Sequence, residues 1–370
     1  MKITRIGQAK VIVSNPMSKH NFFGWPTVAR LQNGKIAVVS SGFRMKHLCP
    51  FGKTCISYSE NEGETYTAPA PVMDTPLDDR DGGITTFGES GVFVTSFNNL
   101  VECQRDFINS STFDEKYNNY VLSYLDTVTK EDEDKYYGAT FRVSYDCGVT
   151  FGELHKSPVT SPHGPIQLKN GKILWVGRIT EPDRDTVGDY IAAYFIDPDG
   201  NGAEYIGRIP DVYDEGEKMI SCEAHVAELD DGTLICHFRV QSSNDVFTQR
   251  LFSVYQSVSE DGGRSWSMPV RLLDKKGGYP PFLYKHSSGA LISVYSRTRG
   301  IEPYGILAMV SRDGGKSWST EHLISPLESR DLGYPSTVEL ADGSLISVFY
   351  SKSNADASSV ILQQKWRLEI

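Results

Sequence analysis

The stretch that decides the fold is SEDGGRSW, residues 259–266, because its pattern returns almost unchanged as SRDGGKSW at residues 311–318. A third copy, SYDCGVTF, spans residues 144–151, and a fourth, SENEGETY, spans residues 59–66 with Asn in place of Asp. In each copy the Asp or Asn side chain can accept hydrogen bonds from backbone amides further along the turn, and Gly can take a positive φ. One copy would be an ordinary hairpin turn, but four copies in register indicate a repeat architecture.

A second repeat alternates with these Asp turns and consists of a strand, a short turn that contains glycine, and another strand. It is clearest as PTVARLQNGKIAVVSS from Pro26 and PSTVELADGSLISVFYS from Pro335. Asn-Gly and Asp-Gly between apolar runs are strong hairpin signals. The turn glycines of the six copies, which lie 57, 80, 61, 57 and 54 residues apart, are Gly34, Gly91, Gly171, Gly232, Gly289 and Gly343.

Six such hairpins predict an all-β fold, a six-bladed β-propeller with four antiparallel strands per blade. In each blade the Gly hairpin joins the first two strands, and an Asp turn closes the second hairpin in blades 1, 2, 4 and 5, while blade 3 has Asp197, Asp199 and Gly200 near that place without the full motif. Because the sixth hairpin has no Asp turn after it, we expect the N-terminal KVIV and the C-terminal VILQQKWRLEI to complete that blade together. This pairing would leave no open sheet edge. We expect one domain over residues 1–370, since no low-complexity linker interrupts the repeats.

The longest interruption of the repeats lies in the second blade, at about residues 98–135. It is rich in Asn, Ser, Asp and Glu, and residues 130–135 are highly charged. This composition predicts a solvated loop. The alternative is a rim or lid over the central channel.

Composition excludes several classes of function. The formal net charge of −10 argues against a nucleic-acid partner, because phosphate binding requires a basic face. No segment approaches the roughly 18 apolar residues of a membrane span, so we expect no membrane partner. The N-terminus has no apolar stretch of signal-peptide length, so we expect a cytoplasmic location, or secretion if a leader has been removed. We find no CxxC pair, nucleotide-binding glycine motif or HExxH, and we expect no metal and no cofactor.

The repeats resemble those of the sialidase superfamily, in which the Asp turns are known as Asp boxes, and the resemblance covers essentially the whole chain. It implies a glycoside hydrolase with its active site at the mouth of the central channel, where the innermost strands begin. The residues at those strand starts in this sequence are Trp25, Asp81, His163, Glu223, Tyr279 and Tyr334. The resemblance therefore implies that this ring of aromatic, acidic and imidazole side chains binds a sugar.

Three positions match the sialidase pattern residue by residue. Glu223 resembles the Glu that activates the family's tyrosine, and Tyr334 lies near the place of that nucleophilic tyrosine. Arg239, seven residues after Gly232, resembles one arginine of the triad that binds the substrate carboxylate. Arg297 is the candidate for a second member of that triad.

Two stretches depart from the sialidase pattern. Residues 24–26 read Gly-Trp-Pro where the family has Arg-Ile-Pro with its first triad arginine. Residues 40–54, SSGFRMKHLCPFGKT, stand where the family has its acid/base Asp, and they contain no Asp or Glu. Arg44 and His47 occupy this stretch instead. The missing acid must therefore be replaced if the protein is a hydrolase, and His47 is one candidate for that role.

The chemistry of hydrolysis suggests roles for the acidic residues. A phenol with a pKa of about 10 needs a neighbouring base to attack at neutral pH, and Glu223 can serve Tyr334 in this way. The general acid can come from the DDRD run at residues 78–81, with Asp81 the first choice, because like charges nearby raise the pKa of a carboxyl group. The alternative for this run is a solvated turn with a surface ion pair.

The remaining candidates are assigned to substrate binding. Arginines after the Gly hairpins can hold a carboxylate in a bidentate manner, or they can pair with acids of neighbouring blades. Trp25 can stack on a sugar ring or pack in the core, and the histidines can contact substrate or serve as structural hydrogen-bonding groups. The substrate-binding candidates are Arg239, Arg297, Arg80, Arg44, Trp25, His163, His225 and Tyr279.

The sequence thus predicts a glycoside hydrolase of the sialidase-like clan that removes a terminal sugar from a glycan or oligosaccharide. The resemblance implies that this sugar is acidic. The alternatives are a polysaccharide lyase, a non-sialic exo-glycosidase on the same propeller, and a carbohydrate-binding propeller without catalysis.

Overall fold

The predicted propeller is confirmed by a computed structural model, in which six β-sheets follow one another along the chain. Five of the sheets contain four antiparallel strands, and the third contains one more short strand. The structure describes residues 1–110, 114–180, 187–242, 251–273, 279–298, 302–352 and 359–369, without the side chains of residues 187–189 and 279. No helix in these ranges is long and apolar enough to cross a membrane.

The chain begins with β1 (Lys2–Val13), which belongs to the last blade. The strands of blade 1 are β2 (Phe22–Arg30), β3 (Ile36–Arg44), β4 (Lys53–Ser59) and β5 (Ala70–Met73). The strands of blade 2 are β6 (Ile84–Phe87), β7 (Gly91–Asn98), β8 (Gly138–Ser144) and β9 (His155–Ser157). Between β7 and β8 the chain forms three helices, α1 (Val101–Ser110), α2 (Glu115–Leu125) and α3 (Lys130–Tyr136).

Blades 3, 4 and 5 repeat the same order of strands. Blade 3 consists of β10 (Val159–Thr160), β11 (Ile166–Gln167), β12 (Ile173–Thr180), β13 (Val187–Ile196) and β14 (Ala203–Arg208). A small hairpin of β15 (Tyr213–Asp214) and β16 (Glu217–Lys218) follows it. Blade 4 consists of β17 (Ile220–Glu228), β18 (Leu234–Gln241), β19 (Phe252–Ser259) and β20 (Val270–Arg271). Blade 5 consists of β21 (Tyr279–Lys285), β22 (Leu291–Arg297), β23 (Gly305–Ser311) and β24 (His322–Pro326).

Blade 6 closes the ring with strands from both ends of the chain, as the sequence predicts. It contains β25 (Leu332–Glu339), β26 (Leu345–Lys352), β27 (Ser359–Glu369) and β1. The outer pair is antiparallel, with Lys2 opposite Glu369 and Val13 opposite Ile361. The long β27 therefore pairs along its length with the N-terminal strand.

The core lies between the blades, since each sheet packs a face against each of its neighbours. For this reason the middle strands are buried on both faces, and every residue of β22 is buried. Val176 of blade 3 shares a cluster with Val226 and Phe238 of blade 4. Val348 of blade 6 packs in a cluster with Val38 of blade 1, so the core continues across the closure.

The Asp turns form as predicted and lie on the same face of the propeller as the Gly hairpins, since Ser259 pairs with Leu234. Asp261 Oδ1 accepts hydrogen bonds from the amides of Arg264 at 3.0 Å and Ser265 at 2.9 Å. Ser259 Oγ in turn accepts one from the Gly263 amide at 2.8 Å. We call this side of the propeller the hairpin face, and the opposite side, where the innermost strands begin, the channel face.

The insertion between β7 and β8 is helical, so the prediction of a solvated loop is wrong. Tyr117, Val121 and Leu125 are buried on one side of α2, together with Ile108 of α1. They pack against residues that follow β3, including Phe51, whose ring lies 5.0 Å from that of Tyr120. The polar composition of the segment conceals this spaced apolar face.

Candidate active site

The first strands of several blades carry an irregularity at the channel face. In blades 1, 4 and 6 the first strand has one more residue than its partner, which is a β-bulge. Trp25, Glu223 and Tyr334 lie in these bulges with φ values of 52°, 58° and 53°, and Asp81 lies before β6 with φ 48°. Residues other than glycine rarely adopt this left-handed region of φ. Such backbone strain is concentrated at functional sites, where the unusual backbone changes the direction in which a side chain points.

The bulges bring Glu223 and Tyr334 together across the channel. Tyr334 Oη donates a hydrogen bond of 2.7 Å to Glu223 Oε1. The other oxygen of Glu223 forms an ion pair of 2.8 Å with Arg239 Nη1. Arg239 lies on β18 opposite Cys222, and its Nε donates to Cys222 Sγ at 3.3 Å. Since little of the Glu223 or Arg239 side chain is exposed, water screens these contacts weakly.

The surroundings of Tyr334 keep its hydroxyl protonated. Burial raises the pKa of Tyr334 well above its ordinary value, and the negative charges of Glu223 and Asp81 add to this effect, while Arg239 opposes it. A protonated phenol that is hydrogen-bonded to a carboxylate can lose its proton only as it reacts. The pair therefore has the arrangement of a nucleophile with its general base.

Asp81 supplies a second carboxyl group at the same place. Burial raises its pKa to about 6, with Arg80 opposing this shift and Glu223 adding to it. Its Oδ1 is buried and has no hydrogen-bond partner within the described residues. A carboxyl group with this pKa is partly protonated near neutral pH, so it can donate a proton.

Trp25 is buried, with 1% of its surface exposed, and it separates the site from a group of charged residues. The guanidinium carbons of Arg80 and Arg44 lie 4.6 and 5.0 Å from the centre of its ring. Its ring is also 4.9 Å from that of His47 and 6.3 Å from that of Tyr334. The structure thus places Trp25 in the wall behind Tyr334.

The DDRD run is buried, rather than forming a solvated turn, and its Arg80 lies against Trp25. Arg44 and Asp78 are fully buried and form an ion pair of 2.6 Å. Arg80 lies 3.6 Å from the other oxygen of Asp78. Asp79 accepts hydrogen bonds from the amide and hydroxyl of Thr75, and burial raises its pKa to about 7. Arg44 and Arg80 are therefore engaged with Asp78 and Trp25.

The two candidates of blade 5 are Arg297, at the end of β22, and Tyr279, at the start of β21. Arg297 forms an ion pair with Glu321, which also accepts a hydrogen bond of 2.9 Å from Tyr295 Oη. The side chain of Tyr279 lies outside the described part of the structure.

The two histidines lie deeper in the channel wall. His163 Nδ1 is 3.0 Å from Thr27 Oγ1, and the ring of His225 stacks on Phe282 at 4.2 Å. His225 Nδ1 accepts a hydrogen bond of 3.1 Å from the Leu283 amide. Burial lowers the pKa of His163 well below its ordinary value and that of His225 to about 3. Both rings are therefore neutral, and they link blade 3 to blade 1 and blade 4 to blade 5.

Tyr350 belongs to the site but is absent from the sequence-based candidates. Its ring lies 6.1 Å from that of Tyr334 and 6.0 Å from that of Trp25. Its hydroxyl donates a hydrogen bond of 3.0 Å to Asp331 Oδ1. Tyr350 follows Gly343 by seven residues, the same offset that separates Arg239 from Gly232, so this spacing could have identified it.

A metal centre is not evident near these residues. Across the described ranges, no three His, Cys, Asp or Glu side chains lie close enough to hold a metal ion. The chemistry that the described groups offer is acid–base and nucleophilic, through Asp81, Glu223 and Tyr334.

Comparison with solved structures places this fold among known propellers. A protein of unknown function from Dyadobacter fermentans DSM 18053 is similar over 99% of both chains, with a TM-score of 0.73 and 18% identity. The NanB sialidase of Streptococcus pneumoniae is similar over 98% of this chain and 71% of its own, with a TM-score of 0.66 and 13% identity. The intramolecular trans-sialidase of Ruminococcus gnavus is similar over 97% of both chains, with a TM-score of 0.63 and 12% identity.

The sequence itself also matches a family. No curated protein matches the chain. The model of the BNR repeat-like domain matches residues 101–347, which is about two thirds of the sequence and includes three of the four Asp turns. Because this match covers more than half of the chain, it shows that the chain belongs to the family of BNR repeat-like domains.

Proposed function

We propose that this protein is a glycoside hydrolase of the sialidase superfamily that removes a terminal sugar at the channel face. The observation that carries the proposal is the hydrogen bond of 2.7 Å from Tyr334 Oη to Glu223 Oε1. Both residues occupy strained bulges of blades that are far apart in sequence, and no packing requirement explains why a buried phenol should face a carboxylate.

The first half of the reaction forms a bond between the sugar and Tyr334. Tyr334 Oη attacks the anomeric carbon and gives its proton to Glu223 as the glycosidic bond breaks. The leaving oxygen takes a proton from Asp81, whose raised pKa suits it to this role. Arg239, 2.8 Å from Glu223, holds that carboxylate in place and offsets negative charge beside the phenol.

The second half of the reaction releases the sugar. Asp81, now ionised, takes a proton from water, which attacks the anomeric carbon and breaks its bond to Tyr334. Glu223 then returns its proton to the tyrosine oxygen, so both carboxyl groups regain their starting states. Two displacements at one carbon retain its configuration.

A panel of aryl glycosides that includes a sialoside tests this proposal. Once a hydrolysed glycoside is found, Glu223→Gln and Tyr334→Phe should each lower kcat by about 10²- to 10⁴-fold while the protein remains folded. A fluorinated analogue of the same sugar should label the peptide that contains Tyr334, as detected by mass spectrometry. Full hydrolysis by both variants would show that the mechanism is wrong.

A second candidate is an exo-glycosidase for a terminal sugar without a carboxylate. The positions of the arginines favour it, because Arg297 pairs with Glu321 and Arg44 pairs with Asp78. These two arginines already have carboxylate partners within the protein, so they do not point to a carboxylate on the substrate. The same panel separates the candidates, since cleavage of a neutral glycoside with no cleavage of the sialoside supports the second one. An unsaturated product that absorbs in the near ultraviolet would indicate a lyase, and binding without turnover would indicate a carbohydrate-binding propeller.

A further inference from the structure

A wide groove lies on the channel face beside the proposed catalytic residues. It has a volume of about 980 Å³ and runs between the link from β1 to β2, the segment after β3, the start of α2, and blade 6. His47 lines the groove and also contacts Trp25, which lies against Tyr334. Asp331 lines it on the other side, three residues before Tyr334. The groove is therefore continuous with the wall of the active site.

The groove is basic in an acidic protein. The charged Lys and Asp side chains that line it are Lys19, Lys46, Lys116, Lys352, Asp114 and Asp331. Four lysines against two aspartates give a formal charge of +2, whereas the whole chain carries −10. A local charge opposite to that of the whole protein concentrates anions at that place.

Both aspartates of the groove are engaged within the protein. Asp331 accepts the hydrogen bond of Tyr350 and pairs with Lys352 at 3.3 Å. Asp114 caps the start of α2, where its Oδ1 accepts a hydrogen bond of 2.7 Å from the Lys116 amide. The acids thus position the walls. With Lys352 paired to Asp331, the positive charge of the groove comes from Lys19, Lys46 and Lys116, which lie on three different segments.

The groove also has a surface that suits a sugar ring. Tyr120 of α2 lines it with 51% of its surface exposed, and the other side of its ring stacks on Phe51. Exposed aromatic rings bind the apolar faces of sugars, and a ring already held by a neighbour loses little freedom on binding.

The wall that carries Lys116 and Tyr120 is firmly attached to the propeller. Val121 and Leu125 of α2 are buried, and Tyr117 Oη donates a hydrogen bond of 3.3 Å to the Leu48 carbonyl. Tyr124 Oη donates another, of 2.9 Å, to the Pro76 carbonyl. The groove is therefore formed before a ligand arrives, which lowers the entropy cost of binding.

We propose that this groove is the subsite for the aglycone, the part of the substrate beyond the scissile bond, and that this aglycone is an anionic saccharide. Its carboxylate or sulfate groups would lie against Lys46 and Lys116, and one of its rings against Tyr120. The inference rests on the proposed function for the position of the scissile bond. The helical insertion then determines which glycans the enzyme accepts.

The test is calorimetric binding to the full chain carrying Tyr334→Phe, so that turnover cannot intervene. The probes are tetragalacturonate, sulfated maltotetraose and neutral maltotetraose. Both anionic probes should bind at least about tenfold more tightly than the neutral one, and raising the salt from about 0.02 M to about 0.3 M should weaken their binding alone. Tight binding of only one anionic probe identifies carboxylate or sulfate as the group recognised.

Charge variants make the test specific to the groove. Lys46→Gln with Lys116→Gln should weaken anionic binding about tenfold, and Tyr120→Ala should weaken the binding of all three probes. Lys2→Gln with Lys316→Gln is the matched control, since both side chains are exposed far from the groove, and it should change nothing. Equal binding of neutral and anionic probes, or unchanged anionic binding by the Lys46/Lys116 variant, would overturn the proposal.

This binding experiment separates the inference from the proposed function. Failure to hydrolyse any glycoside would contradict the proposed function and leave the binding result standing. Conversely, hydrolysis of an aryl glycoside with no preference for anionic saccharides would uphold the proposed function and refute the subsite.

Discussion

Aspartates on the hairpin face and aspartates at the channel face ionise in opposite ways. In the Asp turns, hydrogen bonds from Ser and Thr hydroxyls and from backbone amides lower the pKa of Asp146, Asp261 and Asp313 to about 2. Beside the channel, burial raises the pKa of Asp81 to about 6 and that of Asp79 to about 7. In the turns, nearby hydroxyls and amides stabilise the ionised carboxylates. Beside the channel, burial by the surrounding fold disfavours the ionised form of the carboxyl groups.

The largest expected effect is on activity, which should fall when an aspartate of the channel face is replaced but not when one of the hairpin face is replaced. Asp81→Asn should lower kcat/KM by about 10²- to 10⁴-fold for glycosides with poor leaving groups, because these need a proton from the enzyme. The loss should be much smaller for a nitrophenyl glycoside, which leaves without one. Asp261→Asn, the same change on the hairpin face, should leave kcat/KM unaltered, and an equal loss in both variants would contradict the distinction.

The pH profile should report the raised pKa at the channel. Asp81 must carry its proton to act as the acid, so kcat/KM should fall about tenfold per pH unit above about 6. The measurement is kcat/KM across pH for a substrate with a poor leaving group. A profile that stays flat up to pH 8 would exclude Asp81 as the acid.

Stability should change with pH in opposite directions at the two faces. The pKa of Asp81 is higher in the folded than in the unfolded protein, so its ionisation destabilises the fold as the pH rises from about 4 to about 6. Asp81→Asn should therefore raise the free energy of unfolding relative to wild type by up to about 3 kcal/mol more at pH 8 than at pH 4.

Asp261 is the matched case with the opposite sign. Its folded pKa is lowered, so its contribution is present above about pH 4 and is lost as the pH falls through about 2. Asp261→Asn should destabilise the protein at neutral pH and have no effect in strong acid. Denaturant unfolding of both variants across pH measures these differences, and equal signs would refute the contrast.

The smallest effect concerns strain on the hairpin face. Just before the recurring Gly of the Asp turns, Gly262 and Gly314 have φ values of 73° and 71°. In the other two turns Cys147 and Glu62 adopt the same region, with φ values of 55° and 54°. Cys147→Gly should stabilise the protein by about 0.5–1 kcal/mol by removing this strain.

Glu62→Gly provides the control for Cys147→Gly. Glu62 forms an ion pair of 2.6 Å with Arg30 and accepts a hydrogen bond from the Ala341 amide. Loss of these contacts should offset the relief of backbone strain, so the free energy of unfolding of the Glu62→Gly variant should not rise above that of the wild type. A similar stabilisation in both variants would show that the ion pair contributes nothing.

The propeller could be predicted from the sequence because its signals are local and repeated. Each Asn-Gly or Asp-Gly turn and each Asp box is a motif of only a few residues. The spacing of these motifs along the chain therefore predicts the number and the limits of the blades. The helical insertion was not predictable in this way, since the buried apolar residues of α1 and α2 are only Ile108, Tyr117, Val121 and Leu125, among many polar residues. Their buried face exists only because residues such as Phe51 lie against it.

The candidate site could be predicted only as a set of positions. The bulge recurs at the same point of blades 1, 4 and 6, so Glu223 and Tyr334 could be nominated from the register of the repeats. Their mutual contact joins residues 111 apart in sequence, and nothing local predicts it. Arg297 likewise pairs with Glu321, which lies just before β24, and this ion pair could be found only from the three-dimensional arrangement.

The pairing of β1 with β27 has a consequence for biosynthesis. Lys2 lies opposite Glu369, so β1 cannot find its partner until β27 has been made. During translation the 12-residue β1 exposes an unpaired edge while the other blades assemble. Completion of the ring is therefore a late event, and a nascent chain truncated within β27 would remain an open arc that is prone to edge-to-edge association.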